Sequence, residues 1–144
     1  MRSGALDFGR WAPGPSGWGL AGRDYNPRMP DSVTHRVFTL DEARALLPTV
    51  KRLTAEAVRE TELIAEALRE VSEEHPRHAA LEADLQQVLA SWAESLTALH
   101  VEAKGLWLVD FDNGDGYYCW SYPEDTVGHY HGYEEGFAGR MKIV

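Results

Sequence analysis

Two apolar stripes with helical spacing, separated by a break at His75-Pro76-Arg77, constrain the fold more than any other feature of the sequence. Within residues 49–74 and again within about 77–103, apolar side chains recur every three or four positions, as one face of an α-helix requires. Proline disfavours the helical conformation of the residue before it, so the break separates two helices. Each helix of about 26 residues would span roughly 40 Å. Equal lengths and a short connection predict a long antiparallel helical hairpin over 39–104.

Local signals predict where these helices begin and end. Thr39 and Glu42 have the spacing of a capping box, in which each side chain binds a backbone amide of the other residue. Pro48 lacks an amide hydrogen and crowds the preceding turn, which predicts a kink or a short break. Gly105 is a typical residue at which a helix ends. The sequence therefore predicts a short first turn, two long helices and a stop at Gly105.

The period changes from helical to alternating after Gly105, which predicts a small antiparallel β-meander over 105–144. The turn at Asp112-Asn113-Gly114-Asp115-Gly116 has residues that tolerate positive φ. Three strands are predicted: Leu106 to Phe111, Tyr117 to Tyr122 and Thr126 to His131. A hairpin followed by a meander predicts the α+β class, with 34–144 as one domain.

Residues 1–33 differ in composition from the rest of the chain. They hold six glycines, four prolines, four arginines and three aspartates, hence a net charge of +1 against −10 for the remainder. Neither a helical nor a strand period is present. We therefore predict a disordered or loosely attached arm.

Charge and cysteine content exclude several classes of protein. A formal charge of −9 disfavours binding to nucleic acids or to anionic membrane surfaces, both of which require a cationic face. No apolar run approaches the roughly 20 residues of a membrane-spanning helix. One cysteine, Cys119, cannot form an internal disulfide. We therefore expect a cytoplasmic protein that binds neither nucleic acid nor membrane.

The best chemical signal is a cluster of histidines and acids near the end of the chain. His129 and His131 alternate on the third predicted strand and so share one face. Glu134 or Glu135 follows at a distance that allows a third ligand, a set suited to Zn, Fe or Mn. Asp110, on the first strand, is a candidate fourth ligand or a partner that fixes an imidazole tautomer. These five residues form the predicted metal site.

Other interpretations of the same residues stay open. The two histidines are equally compatible with ordinary hydrogen-bonded strand residues beside an acidic turn. A buried Asp110 requires a partner, and Arg140 or a histidine is the expected one. Cys119 is expected to be buried and inert, although a histidine across the meander would be placed to act as its base. Whether the protein is an enzyme is left undecided by these signals.

Three motifs resemble a known family. They are Phe38-Thr39-Leu40-Asp41-Glu42-Ala43 with Leu46-Leu47-Pro48, then Gly105 to Phe111 with Cys119-Trp120, and finally His131 with Glu135-Gly136-Phe137-Ala138-Gly139-Arg140. Over about 37–143 the chain resembles an uncharacterised prokaryotic family catalogued as domain of unknown function 2203. The resemblance implies a helical hairpin followed by a few strands, and no established activity. His131 matches the closing motif, whereas His129 and Asp112 stand where the family usually has tyrosine and proline.

Two classes of function follow from these observations. The first is a small metal-binding module. The second is a non-catalytic interaction or assembly protein that acts through its helical hairpin. Leu47, Leu63 and Leu89 widen the apolar stripe beyond what one partner helix covers. We therefore expect a homodimer through the helices, for which about 600–800 Å² buried per partner would suffice.

Overall fold

The computed structural model describes residues 36–143, and the predicted arm over 1–33 lies outside these described residues. Two helices come first, followed by five strands and a short 3₁₀ turn. They are α1 (Leu40–Arg69), α2 (Pro76–Ala98), β1 (Glu102–Gly105), β2 (Leu108–Asp112), β3 (Gly116–Ser121), β4 (His129–Gly132), the 3₁₀ turn (Phe137–Gly139) and β5 (Met141–Lys142). The predicted α+β class, a helical hairpin followed by an antiparallel meander, is confirmed. None of the helices in the described part is long and apolar enough to cross a bilayer.

Helix α1 begins at the predicted capping box. Thr39 Oγ1 accepts a hydrogen bond from the Glu42 amide at 3.1 Å, and Glu42 Oε1 accepts one from the Thr39 amide at 3.0 Å. The predicted break at Pro48 is wrong, because α1 continues through it without interruption. Leu47 and Val50, on either side of the proline, are buried in the main core. This packing compensates for the hydrogen bond that proline removes.

Helix α2 begins at the predicted break but ends earlier than predicted. His75 caps it by accepting a hydrogen bond from the Arg77 amide at 3.0 Å. The stop predicted at Gly105 is wrong, because the helix ends at Ala98. His100 adopts a positive φ of 67°, and its amide donates to the Thr97 carbonyl at 2.8 Å. A histidine thus occupies the left-handed position where helices usually have glycine.

The two helices pack along one seam, which carries a polar contact in its middle. Trp92 Nε1 donates to Thr54 Oγ1 at 2.9 Å, and both side chains are buried. On α1 the buried face combines apolar residues such as Val50 and Ala57 with the polar Thr54. Threonine at this position satisfies the indole N–H, which apolar periodicity does not reveal.

The sheet has five strands in the order β1-β2-β3-β4-β5, all antiparallel, and not the three predicted. Strand β1 lies where the end of the second helix was expected. One face of the sheet packs on the helices through Val109, Phe111 and Trp120, which are fully buried. Because side chains alternate along each strand, the residues between these three point to the opposite face. That second face holds the polar residues.

The left-handed conformation of His100 generates a prediction about stability. A non-glycine residue there costs about 1–2 kcal/mol, and His100 Nδ1 is in addition buried with no hydrogen-bond partner within residues 36–143. His100→Gly should therefore raise the free energy of unfolding by about 1 kcal/mol, measured by urea denaturation. His100→Ala is the matched control, because it removes the imidazole but keeps the strain. If His100→Ala raises the free energy of unfolding as much as His100→Gly does, the backbone conformation at this position is not the cause of the stabilisation.

Candidate metal centre

Three potential metal ligands are buried together on the sheet face that points away from the helices. They are Asp110 on β2, Cys119 on β3 and His131 on β4, with 1%, 0% and 5% of their surface exposed. Strand pairing places them there, because Asp110 lies opposite Cys119 and Cys119 opposite His129, two positions from His131. One carboxylate oxygen, the sulfur and one imidazole nitrogen all lie within 4.8 Å of one another.

Asp110 and His131 share a proton. His131 Nε2 lies 2.9 Å from Asp110 Oδ2, and His131 Nδ1 lies 2.8 Å from the Gly132 carbonyl oxygen. A carbonyl oxygen only accepts hydrogen bonds, so Nδ1 must carry a hydrogen. A second proton must then lie between Nε2 and Oδ2, since two bare acceptors would repel each other at that distance. The histidine partner expected for Asp110 is thus confirmed.

The backbone beside His131 is held closely against the neighbouring strand. Gly116 on β3 pairs with Gly132 on β4, and a Cβ on Gly116 would lie only 2.4 Å from the His131 carbonyl oxygen. Glycine is therefore required at this position for the two strands to approach. The close pairing positions the His131 ring over β3 and towards Asp110.

The Asp110 carboxyl is only half satisfied. Its Oδ1 atom is buried and has no hydrogen-bond partner among the described residues. Burial raises the pKa of the Asp110 carboxyl, while the nearby charge of His131 acts in the opposite direction. An oxygen of this kind is costly in the interior of a protein unless an ion or a water binds it.

Cys119 is the third member of this cluster. Burial raises the pKa of its thiol to about 12, and the negative charge of Asp110 adds to the effect. The expectation of a buried cysteine is confirmed. A neutral thiol of this kind is a poor nucleophile, whereas a divalent cation would displace its proton and bind the thiolate.

The residues after β4 fold back over the cluster and cover it. Tyr133 donates a hydrogen bond from its hydroxyl to Asp112 Oδ1 at 2.7 Å. Arg140 Nη1 lies 3.9 Å from Cys119 Sγ and 3.2 Å from Glu124 Oε1, and its Nη2 donates to Glu124 Oε2. Burial acts to raise the pKa of the Glu124 carboxyl. The hydrogen bonds from Arg140 and from the Ser121 amide outweigh this effect and hold the pKa below its ordinary value.

The other predicted ligands lie outside the cluster of three. His129 Nδ1 is buried, makes no hydrogen bond to any residue that the structure describes, and lies 3.9 Å from Glu124 Oε2. Glu135 is exposed and accepts a hydrogen bond from the Gly132 amide at 2.9 Å. Glu134 is exposed on the same turn. The structure thus brings together Asp110 and His131 from the predicted set and adds Cys119.

Cys119 is absent from the predicted ligand set, which combined His129, His131 and the acids after them with Asp110 from another strand and took Cys119 as a buried, inert residue. The missing information is the register of β2, β3 and β4, which places residues far apart in sequence side by side. The available signal was the alternation of the strands around the turn at 112–116. Extending that alternation across the turn pairs Asp110 with Cys119.

The donor set defines the chemistry that the cluster supports. A carboxylate oxygen, a thiolate and an imidazole nitrogen suit Zn and Fe(II), which accept mixed ligands in a tetrahedral arrangement. Thiolate ligation disfavours Mn, which prefers oxygen. His131 already has the hydrogen bond from Nδ1 to a carbonyl that orients most metal-binding histidines.

A family model described as "Uncharacterized conserved protein (DUF2203)" matches residues 36–143. The chain belongs to this family. The match covers both helices and all five strands, and it includes Asp110, Cys119 and His131. No curated protein and no solved structure shows significant similarity to the chain. The description of the family names no activity.

Thiol reactivity tests the burial of Cys119. With a pKa of about 12, the thiolate fraction at pH 8 is about one in 10,000, against roughly one quarter for a free cysteine. In metal-free protein we therefore expect Ellman's reagent to react with Cys119 at least about 1,000-fold more slowly than in urea-unfolded protein. Stopped-flow absorbance measures both rates. Native and unfolded rates within tenfold of each other would contradict the buried position.

Proposed function

We propose that this protein is a metal-binding module that holds one divalent transition metal ion through Asp110, Cys119 and His131. The shared proton between Asp110 and His131 is the observation that carries the proposal. It lies where a cation would contact a carboxylate oxygen and an imidazole nitrogen at once. Replacing the proton with the ion keeps the hydrogen bond from Nδ1 to Gly132 intact.

Charge balance supports the same proposal. With a divalent ion bound, the carboxylate and the thiolate each contribute one negative charge and the imidazole is neutral, so the buried centre has no net charge. Neutral buried centres avoid the large cost of placing an isolated charge in the interior. The ion would also provide a partner for Asp110 Oδ1. We favour Zn or Fe(II) over Mn because of the thiolate.

A stabilising role for the ion fits the burial of all three ligands. The ion would connect β2, β3 and β4, which hold the sheet face that the helices do not cover. Three protein ligands leave a fourth position open for a water molecule. An enzymatic use of the ion would require the covering residues to move. A free thiol ligand suits a reducing compartment such as the cytoplasm.

Calorimetric titration of tag-free protein with zinc tests this proposal. We expect one ion per chain and the release of two protons, one from the Asp110–His131 pair and one from the Cys119 thiol. Repeating the titration in buffers with different ionisation enthalpies measures the proton count. His131→Ala and Cys119→Ala should each weaken binding at least about 100-fold, since each removes one of three ligands.

His129→Ala is the matched control, because it removes a neighbouring histidine from the same strand face. We expect its affinity to fall less than that of His131→Ala. Thermal denaturation of every variant without metal separates loss of a ligand from loss of fold. Absence of stoichiometric binding to the natural chain would overturn the proposal, and equal losses for the two histidine variants would overturn the ligand assignment.

A second candidate function is assembly through the helical hairpin. Leu63 on α1 is 64% exposed, although it lies in a helix whose neighbouring turns are packed against α2. Ile64, Ala67 and Val71 are partly buried near the same end of the hairpin. Leu47 and Leu89, which were expected to need a second copy as their cover, are buried within the chain itself, so Leu63 is the residue of the three on which the dimer still rests. The resulting homodimer would be a four-helix arrangement.

Sedimentation velocity at micromolar concentration tests the dimer. The natural chain should sediment as a dimer, and Leu63→Glu should shift it to monomer, because a charge would be buried in the interface. Glu66→Gln is the control, an exposed change on the next turn of the same helix. A natural chain that remains monomeric at this concentration would overturn the homodimer.

A further inference from the structure

The proposed metal centre requires Cys119 as a thiolate, and its surroundings resist that form. The sulfur is fully buried, and an Asp110 carboxylate oxygen lies within 4.8 Å of it. A metal ion offsets part of this cost, but the thiolate lone pairs that do not face the ion still require a donor.

Arg140 is the cation that contacts Cys119. Its Nη1 lies 3.9 Å from Sγ, within the range of a hydrogen bond to sulfur. Among the described residues, no other charged donor makes a hydrogen bond to this sulfur. A charge-assisted hydrogen bond of this type favours the thiolate over the thiol.

Glu124 fixes the position of Arg140. The two side chains form a two-point ion pair, Nη1 with Oε1 at 3.2 Å and Nη2 with Oε2. Glu124 is itself held by the Ser121 amide, which donates to Oε1 at 2.9 Å. The Phe137 ring lies under the guanidinium, with 4.2 Å from its centroid to Cζ. Three contacts thus hold the guanidinium plane before any metal binds.

We propose that Arg140 is a positioning residue for the metal centre. It holds the Cys119 thiolate by a hydrogen bond, and this makes the centre selective for metals that prefer sulfur. The inference rests on the proposed metal-binding function. In this arrangement Glu124 acts through Arg140 and does not bind the ion. An arginine is required because its two terminal nitrogens both bind the Glu124 carboxylate, while one of them, Nη1, also reaches the Cys119 sulfur.

Cobalt(II) binding to the full chain tests this role, because a thiolate ligand gives an intense sulfur-to-cobalt charge-transfer absorption. In the natural chain we expect this absorption at one cobalt per chain. Arg140→Gln should weaken cobalt affinity about 10–100-fold and reduce or shift the charge-transfer absorption, because the sulfur loses its charged donor. Arg140→Lys, which keeps the charge but not the fork, should recover part of both.

Arg44→Gln is the matched control for a merely structural effect. Arg44 also makes a two-point contact, from Nε and Nη2 to the Val127 carbonyl at 3.1 and 2.9 Å, but it does not contact the centre. Its loss should lower thermal stability and leave the absorption unchanged. A natural chain without cobalt binding would overturn the metal centre and this role together. Arg140→Gln with natural affinity and absorption would overturn the role of Arg140 alone.

Discussion

A buried proton between Asp110 and His131 determines the arrangement of the polar face of the sheet. The pair joins β2 to β4 across β3, so a contact between two side chains connects three strands. His131 Nδ1 donates its hydrogen to the Gly132 carbonyl oxygen. This hydrogen bond fixes the orientation of the ring, so that Nε2 faces Asp110 and no other group within residues 36–143. Cys119 lies between the two strands and shares their buried environment. Replacing the proton or removing either partner therefore changes the electrostatics of the whole face.

The two faces of the sheet are stabilised by different forces. On the helix side, Val109, Phe111 and Trp120 pack into an apolar core whose stability follows from area removed from water. On the other side, no second layer of helices covers the sheet within residues 36–143, and the residues after β4 close the face instead. Their contacts are polar: Tyr133 with Asp112, and Arg140 with Glu124. Such contacts depend on geometry and charge. The way this face is covered is therefore linked to the charges of Asp110, Cys119 and His131 beneath it.

Sequence patterns predicted the elements whose causes are local and missed those whose causes are not. The capping box at Thr39 and the break at Pro76 depend on neighbouring residues, and both are as predicted. Pro48 and Gly105 carry equally strong local signals, but tertiary packing overrides the first, and His100 ends the helix before the second is reached. The pairing of Asp110 with a histidine was predictable because a buried carboxylate requires a partner. The position of Cys119 beside them was not, because it depends on strand register.

In the proposed metal centre, metal binding would be coupled to the contacts that the segment after β4 makes with this face. The covering segment begins directly after His131, a proposed ligand, and ends at Arg140, which contacts the sulfur of another. An ion that fixes His131 and Cys119 would therefore favour the contact of Arg140 with the sulfur, and that contact would in turn favour the thiolate. Thermodynamic linkage requires the two effects to be equal in size. A substitution that detaches the segment from His131 to Arg140 would consequently lower the affinity for the metal. The factor equals the one by which the ion stabilises the attached segment, even where the substituted residue contacts no ligand.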